Sequence, residues 1–303
     1  MTRLLSTVAC GALLLASGAA NAADMNGPTG DGATTSGVLA GSVEVGGIGR
    51  YAAEYAALGL EFETTINGAY GGFALWGQFD TLRLGVDGYV ESMVFDEIAD
   101  TASLTPGGLG VLGVHVGAEI APAYVGTFGA LGFYPDGSNT ESLAGVAGGV
   151  EGLAQFGAVT LFSKLGYAFA PSDDYDKADD KIEGFMGPFV EAGLIHALAD
   201  DLAVLASVGF GHSADFDSTD EPGDYAAWGL KVAYRLPTEL NLNLIASYDG
   251  YHAEMMDGDE TVEHTFKLGL SIPFGDGGTA AQALNPLATS LTPFRAAYTS
   301  DAL

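Results

Sequence analysis

The chain has 303 residues, 48% of them hydrophobic, with 45 glycines, 11 prolines and a net charge of −29 from 39 acidic and 10 basic side chains. So acidic a chain is repelled by nucleic acid and by bare anionic membrane surfaces, which makes both poor partners. Tyrosine, phenylalanine and leucine recur throughout, so the high glycine content does not mark a disordered, low-complexity chain.

The first element is an address. Arg3, the apolar stretch from Leu4 to Leu15 and the small-residue site Ala20-Asn21-Ala22 read as a secretory signal peptide over residues 1–22, so the mature chain is expected to begin near Ala23. Thr7-Val8-Ala9 before Cys10 faintly resembles a lipoprotein cleavage site, but the apolar stretch before it is too short and continues past it. Cleavage at Ala22 removes the only cysteine, so the mature protein forms no disulfide. It also removes Arg3 and no acid, which makes the net charge one unit more negative. No later stretch approaches the ~18 uninterrupted apolar residues of a transmembrane helix.

After a polar lead over residues 23–36, the hydrophobic residues come in alternation instead of in blocks. From Thr81 to Val90, Leu82, Leu84, Val86 and Val90 point one way, while Arg83, Gly85, Asp87 and Tyr89 point the other. This is the period of a strand with one face in oil and one in water. Leu240, Leu242, Leu244, Ala246 and Tyr248 oppose Asn241, Asn243, Ser247 and Asp249 in the same manner, with Ile245 breaking the rule. From Thr265 to Phe274 the outward set is Phe266, Leu268, Leu270, Ile272 and Phe274, against Thr265, Lys267, Gly269 and Ser271 inside.

In chain order the pattern predicts strands over 37–50, 70–79, 81–95, 108–119, 122–134, 143–155, 157–170, 185–197, 201–212, 225–236, 239–251 and 262–274. Tight turns are expected at Phe79-Asp80, Ala121-Pro122, Phe156-Gly157, Ala199-Asp200 and Pro237-Thr238, and long loops over 51–69, 96–107, 135–142, 171–184, 213–224 and 252–261. Alternating short and long connections are how a transmembrane antiparallel up-and-down β-barrel is strung, with short turns and both termini in the periplasm. Twelve strands fit best. Ten or fourteen fit where the pattern is least regular, around Phe156-Gly157 and over 122–134.

Charge follows the same division. More than half of the 39 acids fall in the six long loops or at their edges, as in Asp173-Asp174-Tyr175-Asp176 and in Asp215, Asp217, Asp220, Glu221 and Asp224. A solvated, anti-aggregation surface explains them, and so does a layer of divalent cations bridging the loops to lipopolysaccharide phosphates. No loop carries the spaced aspartates of a calcium cage, so no metal site is assigned. On strand parity Arg83, Lys164, Lys231, Arg235 and Lys267 face the lumen, with Arg50 at its rim. Glu44, Asp87, Glu91, Glu119, Glu151 and Glu191 oppose them. Inward placement is the physical expectation, because an arginine or lysine facing lipid near the midplane costs ~2–4 kcal/mol. Two readings stay open: a narrow barrel closed by salt bridges, or a watery passage whose charged rows set ion preference.

The segment Lys267-Leu268-Gly269-Leu270-Ser271-Ile272-Pro273-Phe274 resembles the barrel-assembly signal of bacterial outer-membrane proteins in its polar Lys267, its Gly269, and its apolar Ile272 and aromatic Phe274. With the glycine-rich alternation over 37–274, the chain resembles the outer-membrane porins of Gram-negative bacteria, in particular small porin-like proteins of alphaproteobacteria. The resemblance implies passive diffusion of small hydrophilic solutes, ion transport, insertion by the barrel-assembly machinery, and no cofactor. Two departures stand out. General trimeric porins have more strands, and their last aromatic residue usually ends the chain.

Here residues 275–303 follow, with Pro286 and Pro293 among Leu284, Leu287, Leu291, Phe294 and Tyr298 at irregular spacing. They read as a periplasmic tail, or as a plug that folds back into the lumen on Phe294, Arg295 and Tyr298. Enzymatic readings lack a constellation among His115, His196, His212, His252 and His264. His212 and Ser213 are strand neighbours that point to opposite faces, so the histidine cannot activate the serine. Asp249 and His252 are acid and histidine near another rim, as acidic loops supply by chance. The expected function is an outer-membrane porin-like channel lined by Arg83, Asp87, Glu91, Glu119, Glu151, Lys164, Glu191, Lys231, Arg235 and Lys267. The rival is a non-conducting structural barrel whose acidic loops bind divalent ions, lipopolysaccharide or a partner; an outer-leaflet hydrolase ranks third.

Overall fold

A computed structural model describes residues 38–55, 61–95, 108–120, 122–135, 142–171, 184–213, 222–255, 260–275, 279–290 and 292–294. The expected signal peptide, the polar lead and most of the long loops lie outside these residues. Twelve antiparallel strands are present: β1 (Val38–Tyr55), β2 (Glu61–Phe79), β3 (Leu82–Phe95), β4 (Gly108–Ile120), β5 (Ala123–Pro135), β6 (Ser142–Phe156), β7 (Val159–Pro171), β8 (Gly184–Ala199), β9 (Leu202–Ser213), β10 (Gly223–Arg235), β11 (Asn243–Met255) and β12 (Glu260–Phe274). Each pairs with its sequence neighbours, and β12 pairs with β1, so the sheet closes into a barrel with no free edge. Closure matters because an unpaired backbone N–H or C=O in hydrocarbon costs several kcal/mol.

The stagger of the barrel can be read from the ladder. Partners lead from Ala40 on β1 through Trp76, Gly85, His115, Phe128, Gly149, Gly166, Phe189, Gly211, Tyr225, Ala253 and Thr261 to Glu54, which is back on β1 at 54 − 40 = 14 residues up the strand. Such shear is what makes the strands of a closed barrel tilt. The same path shows one use of the glycines. The Trp76 ring lies where a Cβ of Gly85 would be, Phe189 covers Gly166, and Tyr225 covers Gly211. Inward aromatic rings lie flat against the wall because the neighbouring strand offers no side chain there.

Parity is kept around the ring. Leu82, Leu84, Val86 and Val90 are exposed on the outer face of β3, and Val114, Val116, Leu165, Phe266, Leu268 and Leu270 continue the apolar belt. A contiguous apolar surface of this extent is a lipid face.

Several expected boundaries are corrected. The loop expected over 51–69 is largely strand, since β1 and β2 stay paired as far as Tyr55 and Glu61. Its polar residues gave it the look of a loop, yet Glu63, Thr65 and Asn67 are outward positions on a ladder and are exposed there. For the same reason β12 begins at Glu260, which shortens the loop expected over 252–261. Conversely, β11 starts at Asn243 and not at 239, and the turn at Pro237-Thr238 is wider than expected. Pro237 lacks an N–H for the ladder, Asn241 takes a left-handed φ of 46°, and Leu236 N donates to Leu242 O at 2.8 Å to close the turn. Leu240 therefore sits in the turn, 75% exposed. At Phe156-Gly157 the expected turn is present, with Gly157 at φ +60°.

If the outer face is a lipid face, Val114→Arg lowers barrel stability in lipid vesicles by ~2–4 kcal/mol, measured by reversible denaturant unfolding. An unchanged midpoint would mean that this face meets water.

Candidate functional site: the charged lumen

The inward charges gather in pairs across the barrel. On the loop side of the lumen, Arg50 Nη2 lies 2.5 Å from Glu91 Oε1, and its Nε lies 3.5 Å from Glu263 Oε2 and donates to Thr265 Oγ1 at 3.0 Å. Arg50 is 2% exposed and Glu91 0%, so this group is sealed from solvent. The rim position expected for Arg50 is thus corrected, because β1 runs five residues beyond it. Tyr89 also donates to Glu91, at 3.0 Å.

Lower on the wall, His115 stands between two carboxylates, with Nε2 at 3.2 Å from Asp87 Oδ1 and Nδ1 at 2.9 Å from Glu151 Oε2. Only a doubly protonated ring donates to both at once. Tyr124 donates to Glu151 at 2.9 Å, and all of Asp87, His115 and Glu151 are buried. Two further pairs border a more open region. Lys231 Nζ lies 2.6 Å from Glu44 Oε2 while Tyr70 donates to Glu44 Oε1, and Lys267 Nζ lies 3.2 Å from Asp249 and over the Tyr89 ring at 4.8 Å. Lys164 approaches Glu191 at 3.9 Å.

The C-terminal segment occupies the interior. Beyond Gly275, a single 3-10 turn, Ala280–Ala283, together with Leu284 packs against the inward Ile195, Ala203, Ala233 and Ile245. The chain then rises to Ala288 and Thr289. Lys164 Nζ donates to Ala288 O, while Thr289 donates to Asp87 through its N–H at 2.5 Å and its hydroxyl at 2.7 Å. Phe294 is fully buried in an apolar cluster with Leu109, Phe128, Phe185, Phe189, Tyr225 and Tyr251. Arg295 and Tyr298, named with it as anchors, lie outside the described residues.

Between this segment and the wall is a cavity of about 270 Å3. Glu44, Asp87, Glu191 and Asp249 face it with Lys231 and Lys267, between the hydroxyls of Ser42, Ser207 and Ser247. Apolar side chains such as Phe162, Phe189 and Leu205 make up the rest of the lining; the charged and hydroxyl groups can hold water, and the opposed charges can orient a small solute.

Of the ten residues expected to line a pore, all have lumenal parity, but they do not share one environment. Asp87, Glu91, Glu151 and Lys164 are buried in ion pairs or on the C-terminal segment. Asp87, Glu191, Lys231 and Lys267 reach the cavity. Arg83 stacks on Trp76 at 4.5 Å and Tyr124 at 5.4 Å near the short-turn end. Glu119 is half-buried at that end, and Arg235 is held by Asn241 at the β10–β11 turn, 2.5 Å away. Sequence reasoning, which put the histidines at the rim or in the lumen, did not pair His115 with Asp87 and Glu151 and did not single out Glu263. Their odd positions on β4 and β12 were the available signal.

His212 faces outward and meets Asp224 at 2.7 Å, whereas Ser213 faces inward, accepts from Met186 N and donates to Met186 O. Asp249 pairs with Lys267 and His252 with Glu260, at 3.7 Å, so the suspected acid–histidine couple is divided between two partners. Among the described residues no three His, Cys, Asp or Glu side chains are grouped to hold a metal ion.

No protein-family model and no curated protein sequence matches this chain. Among solved structures it is similar to the COG4313 outer membrane channel from Pseudomonas putida F1, at 13% identity over 82% of this chain and 100% of that one, with a TM-score of 0.56. The translocator domain of the autotransporter NalP from Neisseria meningitidis matches 89% of this chain and 98% of its own length at 14% identity and a TM-score of 0.46. The Pseudomonas putida toluene transporter TodX covers 78% and 89% at 10% identity and a TM-score of 0.40. The likeness to the first of these is one of fold, a transmembrane antiparallel β-barrel.

Removing one partner of a sealed ion pair leaves the other charged and buried. Arg50→Met is therefore expected to destabilise the barrel by ~3–5 kcal/mol in vesicle unfolding, and Arg50→Met with Glu91→Gln to recover a large part of it. A double-variant loss equal to the sum of the separate Arg50→Met and Glu91→Gln losses would mean that the pair is not coupled.

Proposed function

We propose that the chain is a porin-like channel of the Gram-negative outer membrane, through which small hydrophilic solutes or ions diffuse passively beside the C-terminal segment. The observation that carries this reading is a cavity of mixed lining within a lipid-faced barrel, with Lys231 and Lys267 set among Glu44, Asp249 and Glu191. Paired charges around a wet space bind no single ion tightly, which is what passage requires. The fold likeness to an outer membrane channel supports the same reading. Both termini are assigned to the periplasm with the short turns, and the assembly machinery reads Lys267, Gly269, Ile272 and Phe274 on β12. The acidic loops would face outward, where they concentrate cations and meet lipopolysaccharide through divalent ions.

A second reading has its own observation. Arg50 with Glu91 and Glu263, and the apolar cluster around Phe294, fill the loop side of the lumen. A barrel closed there is a structural surface protein and conducts nothing.

Planar-bilayer recording separates the two. Small discrete conductance steps are expected, and Lys231→Glu with Lys267→Glu is expected to shift reversal potentials toward cation preference. Correctly folded protein that gives no discrete steps overturns the channel.

A further inference from the structure

One peptide group of the C-terminal segment is gripped at both ends. Lys164 donates to the carbonyl of Ala288, and Asp87 accepts from the N–H of Thr289, so a cation and an anion on opposite sides address the two poles of one amide. The Thr289 hydroxyl adds a second bond to Asp87, and the space it takes exists because position 113 is glycine: a Cβ there would overlap it. Five residues later the Phe294 ring occupies the places that Cβ atoms of Gly132 and Gly145 would fill. Earlier in the segment, Leu284 with Ala280 and Ala283 covers the inward apolar residues Ile195, Ala203, Ala233 and Ile245.

These stations lie in order along the lumen: an apolar patch, a charged amide clamp and a glycine-floored aromatic seat. A watery passage needs none of them on its wall. Together they complement an extended peptide whose apolar, small polar and aromatic residues come in that order. We propose that this wall is a peptide-binding track, occupied in cis by residues 279–290 and 292–294, and that the segment acts as a tethered partial blocker that narrows the lumen. The blocking role rests on the channel reading, whereas the binding role does not.

The full chain is folded with a specific protease site inserted between Gly275 and Thr279, then cut and washed, so that the barrel forms with its segment attached. A fluorescent synthetic peptide of residues 279–294 is expected to bind the cut barrel saturably. A scrambled peptide is not. Asp87→Asn or Lys164→Met in the barrel weakens binding about tenfold or more, as expected for a hydrogen bond to a charged group. In bilayers, cutting raises the current and the added peptide lowers it again. Thr289→Pro in the uncut chain, which removes both the N–H and the hydroxyl, raises the current without proteolysis. Folding is checked in every case by resistance of the barrel to unfolding in detergent at room temperature. No peptide binding to a folded cut barrel, with current unchanged by cutting and by Thr289→Pro, overturns the track. Saturable binding with no current from either form supports the track and removes the channel.

Discussion

The structure depends on one constraint: in hydrocarbon no backbone polar group can be left unpaired, and a single sheet meets that demand only by closing on itself. Closure between β1 and β12 fixes a ring in which every strand has two partners. Once the ring is closed, the period of two sorts side chains between lipid and lumen without further instruction. The outer face can then be leucine and valine throughout, and every charge on a membrane-crossing segment must go inside.

That sorting creates the problem that the interior solves. Charges confined to a narrow lumen are expensive unless paired, and the wall supplies partners by register: Arg50 between Glu91 and Glu263, His115 between Asp87 and Glu151, Lys231 with Glu44, Lys267 with Asp249. Where pairing is tight and dry, the lumen is filled. Where lysines and acids face one another beside the C-terminal segment, a cavity remains between them. Glycine on the wall does the complementary work, giving rings such as Trp76, Phe189 and Phe294 a place to lie.

The barrel was legible because alternation is a local signal repeated twelve times, so single faults did not change the count. The loop-side ends of β1 and β2 read as a loop because polarity stands for two things: a loop, or a ladder that has left the membrane. Asn67 and Thr65 belong to the second. Lumenal parity for Arg83, Lys164 and Lys267 could be read directly, but pairing could not, since Lys164 finds its carbonyl 124 residues away in the C-terminal segment. The informative departure was Ile245, an apolar side chain on a polar face. It is buried because Leu284 and its neighbours cover it, so the exception to the strand rule marked the contact that the rule could not foresee.

The most direct test of this account is the accessibility of single spin-labelled cysteines placed in turn from Leu82 to Glu91 in a folded chain otherwise free of cysteine and reconstituted in vesicles. Oxygen collision is predicted to peak at Leu82, Leu84, Val86, Gly88 and Val90 and to fall at Arg83, Gly85, Asp87, Tyr89 and Glu91. A profile without that two-residue period would contradict a barrel whose side chains part between lipid and lumen.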